Sequence, residues 1–259
     1  MMDSSHPEEN VYGKNWNSVH AGYFSDPAIA APLIEKIRDV IRTSKPDIMV
    51  DLGGGTGFLL RELDRQHAAD GIQLVNLDVS PTQLAAVSDA RIRTLQRSLT
   101  DFVRADAGPA SSRFLFLMRS VLHYYGKSGL KPALHHLRQQ MRPGEVFIHQ
   151  TACNDASTDT GRLNLLYERM QTGKWYPTTA QLVQALEHAG WTVTDVSPAP
   201  PLVMTDRELS QRYSITSNRL IAIRDELSRK FGEKRGVFKL TQDGFRAYLH
   251  YKLFTCIVG

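Results

Sequence analysis

The stretch Ile48-Met49-Val50-Asp51-Leu52-Gly53-Gly54-Gly55-Thr56-Gly57-Phe58-Leu59-Leu60 decides the fold. Its first five residues form an apolar run with an acid near its end and no polar alternation. That is the pattern of a parallel strand covered on both faces. Gly53, Gly55 and Gly57 follow at every second position. Glycine there admits positive φ and lets a ligand approach bare backbone. Phe58 opens a helix, so the turn is expected to present free amide N–H groups at a helix start. Strand, glycine turn and helix together read either as a nucleotide-type ligand site or as a tight turn alone.

Two details narrow the ligand. Asp51 lies on the strand just before the glycines, where its carboxylate would repel a pyrophosphate but welcome an ammonium group. The spacing is D-x-G-x-G-x-G, not the G-x-G-x-x-G of dinucleotide sites. This run, Asp51 through Gly57, resembles motif I of the class I S-adenosylmethionine (SAM)-dependent methyltransferases. The resemblance implies a Rossmann-like α/β fold, doubly wound, with a mostly parallel seven-stranded sheet. It also implies SAM as cofactor and S-adenosylhomocysteine as product. SAM has an amino-acid end, a sulfonium and no phosphate, which suits the acid and the glycine spacing together.

Outward from this motif the chain alternates. Residues 32–43 carry a helical apolar face before the first strand, and residues 58–69 form the helix after the turn. A second apolar strand over 72–78 ends in Asp78, a little over 20 residues past the turn, where an α/β nucleoside site places its ribose acid. Asp78, with Val79 beside it, reads as that acid or as a helix cap before Ser80-Pro81. Strands are expected over 92–96, 114–118, 146–149 and 191–196, with helices over 130–141 and 178–189. A final strand over 248–258 closes the sheet antiparallel in the class the chain resembles. This β–α alternation gives a parallel sheet with helices on both faces. Two segments fall outside it: residues 154–176, with a helix near 161–171, and residues 198–245, with one long helix over 206–231. Both would overhang the strand ends as helical caps. Residues 1–45 read as a leader or cap, aromatic-rich at 11–16 and 21–27 and unstructured before 11. Residues 46–259 form the cofactor-binding domain, with no second core.

Composition sets broad limits. The chain has 259 residues, 42% hydrophobic and 22% charged, enough for one large α/β domain. No apolar run reaches the roughly 18 residues a membrane span needs, and the polar, acidic start does not read as a signal peptide. Cys153 and Cys256 lack metal-ligand spacing, so no metal site is expected and a reducing cytoplasm suits the chain. The pI near 9.1 invites nucleic acid as a partner. The formal charge is only +4 and dispersed, so no nucleic-acid partner is expected.

The carboxyl ends of the strands should form the site. They bring together Asp51, Asp78, Ser98, Leu99, Arg119 and His149, with His123 just beyond the fourth strand. Ser98 and Leu99 fall where the class contacts adenine. The run from Leu117 through Arg119, His123, Tyr124 and Tyr125, followed by Met141-Arg142-Pro143-Gly144, is similar to small-molecule O-methyltransferases of the caffeic-acid type. That resemblance covers roughly residues 48–194. It implies that Arg119 touches the cofactor and His123 is the general base. Tyr124-Tyr125 stands where that family has Asp-Trp, and a structural, hydrogen-bonded His123 is the other reading. His149 is a second candidate base, and Tyr23, Tyr124, Trp175 and Tyr176 are candidates for the acceptor pocket. The expected activity is methyl transfer to a small-molecule hydroxyl in specialised metabolism. N- or C-methylation, a SAM-binding scaffold and an NAD(P)-dependent oxidoreductase are the alternatives. The place after the fourth strand lacks the Asn/Asp-Pro-Pro-aromatic run of nucleic-acid methyltransferases.

Overall fold

The computed structural model describes residues 22–242 and 244–259. The sequence readings for residues 1–21, including the aromatic stretch at 11–16, lie outside the described residues. The elements in chain order begin with α1 (Pro27–Ser44), β1 (Ile48–Leu52), α2 (Phe58–Arg65), β2 (Gln73–Asp78), α3 (Pro81–Ala85), β3 (Ile92–Gln96), α4 (Arg104–Ala107) and β4 (Phe114–Arg119). A 3-10 helix at Leu122–Tyr125 then leads to α5 (Gly126–Gln139), β5 (Val146–Ala152), α6 (Ser157–Arg169), α7 (Thr179–Ala189) and β6 (Trp191–Thr205). The chain finishes with α8 (Asp206–Tyr213), α9 (Ser217–Phe231), β7 (Phe238–Thr241) and β8 (Gly244–Val258).

The sheet order is β3-β2-β1-β4-β5-β8-β6, with β7 added on β8. Strands β1 to β5 run parallel, and β8 is antiparallel to β5, β6 and β7. Chain order reverses at β1, between β2 and β4, which opens a crevice at their carboxyl ends. Alternation of side chains across the pleat explains the burial of β1. Met49 faces the helices α1 and α2, packing with Leu33, Ile37, Leu60 and Leu63. Ile48, Val50 and Leu52 face the opposite layer with Leu134 and Leu137 of α5 and Leu182 and Leu186 of α7.

The seven expected strands are present among the described residues, and Phe238–Thr241 adds an eighth by pairing with the start of β8. Four expectations are corrected. Strand β6 does not stop at Val196 but runs on to Thr205, through Pro198, Pro200 and Pro201. Prolines are tolerated there because β6 is the edge strand, and a register shift between Ala199 and Leu202 takes up Pro200 and Pro201. The single long helix is two: Ser214, at φ +52°, ends α8, and Thr216 caps α9. There is also a second core. Tyr167, Leu202, Met204, Leu209, Phe238, Phe245 and Leu249 pack together where β6 and β8 extend past the sheet beneath α6, α8 and α9. Helix α1 starts five residues before the expected Pro32, since the Asp26 side chain accepts from the Ala28 amide at 2.8 Å and caps it.

Candidate active site

A cavity of about 670 Å³ lies at the carboxyl ends of β1, β2 and β4 and continues beneath α6 and α8. Its first end is the glycine turn. Gly53 and Gly54 both donate their amides to the Leu77 carbonyl, at 2.7 and 3.1 Å, and Gly57 donates to Gly54. The Gly55 amide donates to Asp78 Oδ2 at 2.9 Å. The amides of the four glycines are therefore committed within the protein. The adjoining strand β2 grips the turn from one side: Asp78 accepts from Gly55 N–H while Asn76 Nδ2 donates to the Gly55 carbonyl at 2.8 Å. Asp78 is not the cap of α3. Ser80 is, accepting the Gln83 amide, and Asp78 Oδ1 accepts the Ser80 amide at 2.9 Å. Of the glycines in this turn Gly54 is the most confined: a Cβ there would meet Asn76 Oδ1 at 2.1 Å and Asp51 Oδ2 at 2.5 Å. The sequence reading singled out its neighbours and passed over Gly54.

Around the turn, acceptors outnumber donors. Asp51 Oδ1, Asn76 Oδ1 and Gln83 Oε1 are buried and have no hydrogen-bond partner among the described residues. Asp51 and Gln83 line the cavity. Burial, followed by the charge of Asp78, pushes the Asp51 carboxyl up to about 7, with Arg119 opposing. A site of this kind takes a ligand that donates hydrogen bonds and carries positive charge. Its glycine amides, already bonded, form no nest for a pyrophosphate. The ammonium at the amino-acid end of SAM would supply donors to Asp51 and Gln83. Asp78, whose carboxylate accepts the Gly55 and Ser80 amides, lines the same cavity. Val79 is 56% exposed at the cavity mouth, with Ser98 and the buried Leu99 across from it in the lining.

Arg119 lines the cavity but spends its donors on the leader. Its guanidinium donates to the carbonyls of Phe24 (3.1 Å) and Tyr23 (3.2 Å) and to Gln150 Oε1 (3.2 Å). It lies 5.5–5.7 Å from the ring centroids of Tyr23, Phe24 and Phe58. Burial lowers its pKa, offset by Asp51 and nearby tyrosines. Tyr23, expected in the acceptor pocket, is instead a clasp outside the cavity lining. Its hydroxyl donates to the Pro200 carbonyl and accepts from Gln150 Nε2, and its ring stacks on Tyr251.

The other end of the cavity begins at the 3-10 helix. His123 lines it and is 5% exposed. Its ring centroid is 4.2 Å from Tyr124 and 5.2 Å from Tyr176, the latter stacked at 15°. Ser120, directly after β4, holds φ at +62°, and its hydroxyl bonds Tyr251 Oη at 2.7 Å. A non-glycine residue in the left-handed region at a cavity wall is costly and is held by its surroundings. Lys174 and Arg212 also line this end, together with Tyr124, Tyr167, Tyr176 and Tyr251.

Of the expected site residues, the cavity gathers Asp51, Gly53, Gly55, Asp78, Val79, Ser98, Leu99, Arg119, His123, Tyr124 and Tyr176. It does not gather Gly57, which caps α2. Trp175 packs against the main core and donates its amide to the His123 carbonyl at 3.1 Å. His149 is fully buried between the rings of Phe147 and Phe254, 4.6 and 4.7 Å away, with Nδ1 on Thr151 Oγ1. Burial pushes its pKa down to about 3. A ring held neutral in a core and outside the cavity lining cannot meet a substrate, so His149 is corrected to a packing residue. Asn76, Gln83, Ser120, Tyr167, Lys174, Arg212 and Tyr251 were missed. Only Lys174 left a signal, standing beside the Trp175-Tyr176 pair in a segment already set apart. Among the described residues no group of three or more His, Cys, Asp or Glu is placed to hold a metal. No described helix is long and apolar enough to cross a membrane.

Comparison with known proteins bears on this geometry. No curated protein sequence matches the chain. A proposed methyltransferase of Bacillus halodurans superposes with a TM-score of 0.66 at 11% identity, covering 86% of this chain and 97% of its own. An O-methyltransferase family protein of Burkholderia thailandensis gives 0.57 at 13% identity, covering 97% of this chain and 63% of its own. The 1,6-didemethyltoxoflavin N1-methyltransferase of the same organism, solved with its substrate and S-adenosylhomocysteine, gives 0.56 at 15% identity and covers 97% and 87%. At these identities the likeness is one of fold. A family model described as a methyltransferase domain matches residues 27–196, more than half of the sequence. With a glycine turn and two carboxylates shaped for a cationic, phosphate-free ligand, the chain belongs to the methyltransferase-domain family, enzymes whose methyl donor is SAM.

Proposed function

We propose that this enzyme methylates a hydroxyl group of a small molecule, with His123 as general base. The carrying observation is the position of His123, buried in the cavity wall past β4, stacked on Tyr176 and in contact with the tilted ring of Tyr124. It lies beyond the glycine turn and faces the same cavity. Solved structures of this fold include both an O- and an N-methyltransferase, so fold alone does not choose the atom. A positioned imidazole favours an acceptor that must lose a proton.

In this reading Asp51 receives the ammonium of the cofactor and Asp78 its ribose hydroxyls, with Val79, Ser98 and Leu99 around the base. Arg119 keeps residues 23 and 24 over the mouth and so excludes water from the reacting groups. Bound SAM supplies an already activated sulfonium methyl. The pocket residues would place the acceptor hydroxyl near that methyl. His123 would take the proton that the hydroxyl loses on methylation, with S-adenosylhomocysteine as the other product. Residues 46–259 carry the cofactor domain, residues 154–176 and 198–245 cover the acceptor, and residues 1–45 form the leader.

The test is His123→Ala, assayed by S-adenosylhomocysteine release with a panel of hydroxylated aromatic acceptors. Cofactor affinity should hold while turnover drops by about 10²–10⁴-fold, the usual contribution of a placed base. High pH with an acidic phenol should restore part of it. A variant that folds, binds cofactor and turns over normally removes His123 from the mechanism.

A further inference from the structure

The cavity has a second electrostatic character that the cofactor reading does not use. Lys174 comes from the loop after α6 and Arg212 from α8, so each of the two segments outside the alternation delivers one cation. Both residues are only 7% exposed. Long cationic side chains are rarely so deep. Lys174 Nζ donates to Tyr213 Oη at 2.8 Å and lies 4.4 Å from the Tyr124 ring centroid. Arg212 reaches the Tyr124 hydroxyl at 3.5 Å and sits 5.2 Å over the Tyr213 ring. Tyr124 is therefore the point where both converge, and its ring lies against His123 at 4.2 Å. The remaining walls are ring faces and alkyl groups: Tyr167, Tyr176, Tyr251, Leu202 and Leu249.

Such an enclosure selects for shape and charge together. Flat apolar walls favour a planar body. Two cations at low local dielectric favour an anion and strengthen each hydrogen bond it accepts. The opposite end, with Asp51 and Asp78, repels the same anion and so orients the molecule.

We propose that the methyl acceptor is an aromatic carboxylate, its carboxylate bound by Lys174 and Arg212 beside Tyr124 and its ring lying among the tyrosine faces. This rests on the reading of the cavity as a methyltransferase site, and the two can fail separately.

The experiment uses the full chain saturated with S-adenosylhomocysteine, whose own binding is first measured by calorimetry. Hydroxybenzoates and hydroxycinnamates are then compared with their carboxamides by ligand-observed NMR. The acids should bind about tenfold or more tightly than the amides, as charge-assisted bonds predict. Lys174→Met and Arg212→Met should each erase that preference and leave S-adenosylhomocysteine affinity unchanged, while Arg212→Lys should keep part of it. Equal binding of acids and amides, failure of every acid to bind, or a preference that survives both Met variants overturns the proposal. The wild-type comparison needs no variant, so a misfolded variant leaves it refutable. Absence of S-adenosylhomocysteine binding would instead overturn the methyltransferase reading itself.

Discussion

The two ends of the cavity are built by opposite means. The end proposed for the cofactor is backbone: four glycines in a turn whose amides are spent on Leu77, Gly54 and Asp78, steadied by side chains of the neighbouring strand. Its carboxylates are Asp51 and Asp78. The end proposed for the acceptor is side chain: His123 and Tyr124 after β4, Tyr167 and Lys174 around α6, Arg212 on α8, Tyr251 on β8. Its added charges are positive. A ligand shared across a family is held by chain geometry, which few substitutions can imitate. A ligand particular to one enzyme is held by groups that can be exchanged one at a time.

If this contrast is right, the largest effects come from the smallest changes at the cofactor end. Gly54→Ala puts a methyl 2.1 Å from Asn76 Oδ1 and 2.5 Å from Asp51 Oδ2, with no room for either to retreat in a buried strand pair. Overpacking of this kind costs about 1–3 kcal/mol of stability, and calorimetry should detect no S-adenosylhomocysteine binding. Normal affinity in this variant would break the comparison outright.

Asp51→Asn should act more narrowly. Losing a charge-assisted bond to an ammonium weakens S-adenosylhomocysteine binding by about 1.5–3 kcal/mol. The Asp51 carboxyl is raised in the fold from 3.8 to about 7, so the folded protein holds a proton there that the unfolded chain releases. Its stabilising contribution is full below about pH 4 and is lost as pH rises through 7. Cofactor binding, which needs the carboxylate, should strengthen over the same rise. Asn removes the titration, so melting temperature and affinity should both flatten between pH 5 and 8, measured by thermal denaturation and calorimetry. A wild-type affinity independent of pH across that window would separate Asp51 from the ammonium.

The smallest effect should lie at the acceptor end. Tyr251→Phe deletes the 2.7 Å bond to Ser120 and leaves the ring, a loss of about 1 kcal/mol in denaturant unfolding. S-adenosylhomocysteine affinity should not move. A large fall in that affinity would mean the two ends are not separable.

Legibility in the sequence follows the same division. That Asp51, Gly53, Gly55 and Asp78 would meet at one cavity was readable because local chain geometry brings those residues together at that spacing. The place of His123 in the cavity wall was readable because it follows a strong apolar strand. His149 was misread for the same reason: it too ends an apolar run, and nothing in the run tells a ring facing Phe147 and Phe254 from one facing a cavity. Pro198, Pro200 and Pro201 looked like the end of a strand, since only sheet order reveals that β6 is an edge. Arg212 sits in a helix whose charged residues look like any solvated face, and only the packing of α8 over β6 turns one of them inward.

Strand β8 carries a consequence for how such an enzyme can change. It is a single 15-residue strand. Leu253 and Phe254 sit in the layers of the central sheet, Leu249 and Tyr251 in the cavity wall, and Phe245 and Ala247 in the outer core. The acceptor wall is thus not a detachable module joined by a linker but the continuation of a structural beam. Grafting a cover from a relative would break that beam. New substrate preferences are reached more readily by point replacements at Leu249, Tyr251 or the residues facing them, where the inheritance of foldability is left intact.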